Sequence, residues 1–168
     1  MESKLDWGVI KELKQSIYGD AWHGPSILQQ LQFVEPSFAF KYRFFPSHSI
    51  AEIVLHLVAW TEEVNSRLLG AVAKQPVLGD WPTVENSFPT LNTQPNLVWD
   101  KIKFDCQVSL SELVRVVEQL SPLDWVQPVQ EELPVTQPMS KEELLYGFVQ
   151  HQAYHSGQIG LLIKSFTI

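Results

Sequence analysis

Two histidines stand four residues apart in the stretch VQHQAYHSGQIG, residues 149–160, of a chain that has only five. The surrounding segment reads as helix. Leu144, Phe148, His151, His155, Gln158 and Leu162 recur at alternating steps of four and three, the stripe that a bundle helix turns toward its partners. Imidazoles one turn apart have Cβ atoms about 5–6 Å from one another, close enough for both to ligate one metal ion. Facing a buried space, they would repel as cations, and as neutral rings each would need a partner; one shared cation satisfies both conditions. A single histidine on an apolar face has a plainer reading, a core residue held by hydrogen bonds.

A third ligand would have to come from another helix. His56, in IVLHLVAW, lies beside the apolar stripe Ile53, Leu57, Trp60, Val64 and Leu68 and is the natural candidate, although alone it also fits the core reading. His23 in GDAWHGPS and His48 in FPSHSI occupy turn-like or helix-entry settings, which favour exposure, capping or an outer hydrogen-bonding role. Three neutral nitrogen ligands leave a position open for water or substrate, the arrangement of a catalytic rather than a closed structural site. Imidazole suits zinc, nickel or iron. Gln152 takes the place of the glutamate base of a zinc-protease HExxH, so proteolysis is disfavoured. Gln152 and Gln158 read either as hydrogen-bond partners of the ligands or as polar core residues, and Trp60 is expected to pack against the site. Glu63 reads as a solvated carboxylate rather than a base, Tyr154 lies off the histidine stripe, and Cys106 reads as a small buried hydrophobe.

The elements that would position these groups are helices. Residues 5–18 are amphipathic, and a short helical piece follows over 26–34 with Pro25 suited to its first turn. Ser49 and Glu52 have the form of a capping box and open a second long helix to about residue 69 or 71. A third runs over 95–120 with Leu97, Val98, Ile102, Val108, Leu113, Val116 and Leu120 as its apolar residues, and a second capping box, Ser140 with Glu143, opens a fourth to about residue 164. Nothing alternates as a strand. The connections over 75–94, with Pro76, Pro82, Pro89 and GDWP, and 121–138, with Pro122, Pro128, Pro134 and Pro138, are long enough for either to cross the bundle.

Composition bounds the function. The 168 residues are 45% hydrophobic, enough for one substantial core, and read as one domain over 1–168. A net charge of −7 with no stripe of Lys or Arg disfavours nucleic acid. The first residues resemble neither a signal nor a transit peptide, and no apolar run approaches a membrane span, so a cytoplasmic protein without a membrane partner is expected. With one cysteine, an internal disulfide and a thiolate-rich zinc site are excluded.

AWHGPS at 21–26, HSIAEIVLHLVAW at 48–60, GDWP at 79–82 and LLYGFVQHQAYHSGQIGLL at 144–162 resemble, in this order and over nearly the whole chain, the DinB-like metalloenzyme family. The resemblance implies an all-α four-helix bundle in up-down-down-up order, often a homodimer, with the long crossover between the second and third helices. It also implies a histidine triad for a divalent metal ion, which falls on His56, His151 and His155. Relatives of this kind include bacterial thiol-dependent transferases and a thiol-dependent isomerase. The expectation is a metal-dependent transferase using a low-molecular-weight thiol, or a hydrolase, acting on a small-molecule substrate; the alternative is a non-catalytic metal- or ligand-binding bundle. Trp22 and His23 would line the mouth of the site or, more simply, pin the kink between the first helical pieces. Trp81 would bury itself by docking the crossover on the bundle.

Overall fold

The computed structural model describes residues 6–43, 48–88, 94–133 and 136–166. The start of the first expected helix at Leu5, and Pro89 and Pro134 of the two connections, lie outside these residues. Among the described residues the fold is all-α, with eight helices and no strand. Four are long: α1 (Asp6–Tyr18), α4 (Ile50–Leu68), α6 (Pro95–Gln119) and α8 (Lys141–Phe166). Four are single turns or little more: α2 (Ile27–Leu31), α3 (Pro36–Ala39), α5 (Val84–Ser87) and α7 (Pro122–Trp125).

The long helices begin where side chains can satisfy free backbone N–H groups. Ser49 caps α4, its hydroxyl accepting from the Glu52 N–H while the Glu52 carboxylate accepts from the Ser49 N–H at 2.9 Å. Ser140 and Glu143 make the same reciprocal pair ahead of α8. Ser26 and Gln29 make a third at α2, so Pro25 precedes the cap instead of entering the first turn as the sequence suggested.

α4 is the central helix. Every residue from Ile50 to Ala59 is buried, because α6 and α8 pack along it and α3 and α5 touch it. α1 packs on α6 and α8, which closes the core around Leu13, Ile17, Leu57, Ile102, Leu110, Leu113 and Leu145, all fully buried. Two of the apolar residues assigned to α6 do not join it: Leu97 and Val108 are 62% and 49% exposed. Trp99 takes the inward position instead, wholly buried, with its indole N–H donating to the Val34 carbonyl at 2.9 Å.

The two long connections are tied to each other. The Ala73 N–H donates to the Gln130 carbonyl at 2.7 Å, and the second connection closes on itself where the Val129 N–H donates to the Met139 carbonyl at 2.7 Å. Residues 69–88 also dip onto the bundle, burying Val84 and laying Trp81 against α4.

Since Ser49 satisfies the first turn of the helix that carries His56, Ser49→Ala should cost about 1 kcal/mol. Urea denaturation measures this, with the midpoint falling and the slope unchanged.

Candidate metal centre

Seven residues beyond its cap, α4 presents His56 inward, and α8 presents His151 and His155 from the facing side. One ring nitrogen from each of the three lies within 4.8 Å of the others. His151 Nε2 is 2.9 Å from His56 Nε2 and 3.0 Å from His155 Nε2. His56 and His155 are only 4% and 3% exposed, so water does not reach these nitrogens freely.

The outer nitrogens decide which lone pairs face inward. His56 Nδ1 lies 2.5 Å from the Asp80 carbonyl oxygen, which can only accept, so Nδ1 carries the hydrogen and Nε2 the lone pair. His155 Nδ1 donates to Gln158 Oε1 at 2.6 Å, while the Gln158 amide nitrogen donates to the Tyr154 hydroxyl at 3.2 Å. Two lone pairs therefore point at His151 Nε2, whose single hydrogen can serve only one of them. A cation among the three would engage all of them, and nitrogens bound at about 2.0–2.1 Å to one ion stand roughly 3–3.5 Å apart. The donor set fits a divalent metal ion.

Aromatic rings wall the cluster. Trp81 stacks on His56 with centroids 4.0 Å apart, and His48 stacks on the other face of Trp81 at 3.6 Å. Trp60 meets His56 edge-on at 6.4 Å and donates its N–H to Asp80 Oδ1 at 2.7 Å. Asp80 thus holds both α4 groups from the loop, its carbonyl on His56 and its carboxylate on Trp60. Gly79 precedes it with φ 83°, a left-handed turn that favours glycine and delivers Asp80 and Trp81 to the site.

Burial pushes the imidazoles toward their neutral forms. His151 is lowered to about 4, first by burial and then by repulsion from protonated His155 and His56. His56 is lowered by burial, partly opposed by the Asp80 carbonyl and carboxylate. His155 is lowered by burial, partly opposed by Gln158.

Other candidates separate here. Gln158 reaches a histidine; Gln152 does not, its Oε1 accepting from Ser16 on α1 at 2.8 Å. Glu63 is not a solvated carboxylate: it is 3% exposed and accepts from Arg67 Nε and from the Lys74 N–H, both at 2.9 Å. The spacing of α4 could not reveal this, because the partner backbone arrives from beyond the helix end. Tyr154 lies off the stripe and is 63% exposed, yet its ring edge meets His155 at 4.9 Å. Trp22 neither lines the site nor pins a kink, being fully exposed, and His23 is exposed beside it. His48 is kept from the cluster by Trp81. Cys106 is fully buried, as read, which raises its thiol to about 12. Asp80 was missed; its only signal was its place in GDWP.

A family model described as the DinB superfamily matches residues 28–159, which include His56, His151 and His155. No curated protein and no solved structure matches the chain.

For the metal-free protein, the lowered imidazoles give a signed pH dependence. Above about 6.5, where free histidine is neutral, folded and unfolded chains bind equally few protons at these sites. Below it the unfolded chain binds more, so stability is present at neutral pH and is lost as pH falls toward about 4. Thermal melts of chelator-treated protein between pH 8 and pH 4 should show this fall, and His151→Gln should flatten part of it. An equal slope in the variant contradicts the assignment.

Proposed function

The chain belongs to the DinB superfamily, and on that premise we propose that His56, His151 and His155 hold one divalent ion, zinc, nickel or iron, in a metal-dependent enzyme acting on a small molecule. The observation that carries the reading is the convergence of three imidazole nitrogens with more inward lone pairs than hydrogens. Such an ion, with three protein ligands, leaves a position for water or a small thiol and lowers the pKa of what it binds.

The chain's own residues do the rest. Asp80 and Gln158 hold the Nδ1 hydrogens and so keep the Nε2 atoms of His56 and His155 available as acceptors. Trp81 covers one face of His56 and keeps water from it. A cavity of about 280 Å³ opens beside His56 and His151, which gives a substrate a place to sit. That cavity favours the catalytic reading over a bundle whose histidines only hold a stabilising ion, which would need none.

The nucleophile is external. Cys106 is fully buried and its thiol is held protonated, so a low-molecular-weight thiol, or water, is the group to be activated, in a transferase or a hydrolase respectively. The same reading takes the four long helices as one domain in up-down-down-up order with residues 75–94 as the crossover, supported by the extensive packing of α4 on α6. A cytoplasmic homodimer completes it.

Protein purified without a histidine tag should contain about one divalent ion per chain by elemental analysis. Alanine at His56, His151 or His155 should lower that content, while His48→Ala should keep it; full occupancy in His56→Ala would remove His56 from the set. With a panel of bacterial thiols and a model electrophile, metal-loaded protein should accelerate thiol transfer, and Cys106→Ala should leave the rate unchanged. No metal-dependent rate with any thiol would move the assignment to hydrolysis or to the binding bundle.

A further inference from the structure

The cavity beside His56 and His151 has a composition of its own. Its walls are Trp60, Val64, Leu144 and Phe148, and Gly147 stands at its mouth. Two charged side chains reach it, and both are already engaged. Arg67 is paired with buried Glu63, donates to the Lys74 carbonyl at 2.8 Å and lies over the Trp60 ring. The Asp80 carboxylate takes the Trp60 N–H. Arg67 is thus neutralised by Glu63, and the Asp80 carboxylate, with a side chain 51% exposed, keeps its charge on the solvent side, which leaves the interior of the cavity apolar.

Gly147 is the unusual residue. It sits inside α8 one turn before His151, where glycine weakens a helix relative to alanine. A Cβ built there meets no atom within 4 Å, so no neighbour requires glycine. It lines the cavity, and a side chain there would extend into open space.

We propose that this cavity receives an uncharged, compact apolar group of the substrate, an aryl or branched alkyl unit, next to the three histidines, and that Gly147 is the residue that sets its size. The inference rests on the metal-enzyme reading for its biological meaning but not for its test. An apolar cavity of about 150 Å³ holds benzene. At about 280 Å³, this one has room for a fused bicyclic ring.

The test is calorimetric titration of the metal-free protein with 2-naphthol, 2-naphthoate and 2-naphthylmethylamine, with zinc content measured separately on each variant. 2-Naphthol should bind the natural chain at least tenfold more tightly than either charged analogue. Gly147→Leu should weaken it tenfold or more while zinc content is kept, Gly147→Ala should fall between, and Gly157→Leu, on an exposed turn of the same helix where a Cβ is equally free, should bind as the natural chain does. Should Gly147→Leu not fold, the Gly147→Ala and Gly157→Leu pair decides. Absence of 2-naphthol binding, equal binding of a charged analogue, or indifference to residue 147 overturns the proposal. Failure to bind zinc with 2-naphthol binding intact overturns the metal reading and supports the cavity assignment.

Discussion

Three imidazole nitrogens that face one another away from water compete for too few hydrogens. In this protein the competition is made worse by the groups behind them: the Asp80 carbonyl claims the Nδ1 hydrogen of His56, and Gln158 claims that of His155. Both rings are left with lone pairs aimed at His151. Burial forbids the usual remedy of protonation, since a cationic imidazole would lose its hydration beside two like neighbours. The arrangement persists because the fold holds the rings there, and a shared cation is what relieves it.

Holding them there requires that α8 not rotate. Its other buried polar edge prevents that. Gln152 accepts from Ser16 of α1, and Ser156 accepts from Gln30 of α2, so the face adjoining the histidines is fastened to the first helical arm. A rotation of one residue, about 100° on a helix, would break both contacts and turn His151 and His155 from α4. The seam is not fully satisfied: Gln30 Oε1 and Gln152 Nε2 have no partner among the described residues. Polar groups at such a cost are consistent with a specifying role rather than a stabilising one.

Much of this was legible because it is periodic. Four-and-three spacing put His151, His155 and Gln158 on one face, and the serine-glutamate pairs located the starts of α4 and α8 to within a residue. The loops were not legible. Asp80 acts through its carbonyl as much as its side chain, and a carbonyl has no signature in residue type. A loop tryptophan is expected to dock on the bundle, but that Trp81 lies flat between His48 and His56 depends on the turn at Gly79 and on the path of residues 69–88. Glu63 and Trp22 went astray for opposite reasons. The carboxylate is buried because Arg67 and the Lys74 N–H come back to meet it, and the tryptophan is exposed because none of the described residues returns to cover it.

Asp80 and Gln158 set the tautomers of His56 and His155. Long-range ¹H–¹⁵N correlation of the histidine rings, recorded at neutral pH on isotopically labelled, metal-free protein, reads this directly. Both rings should carry their hydrogen on Nδ1 and show an unprotonated Nε2, whose ¹⁵N shift then moves on addition of zinc. Hydrogen on Nε2 of either ring in the metal-free protein would contradict it, because the inward lone pairs on which the site is built would then not exist.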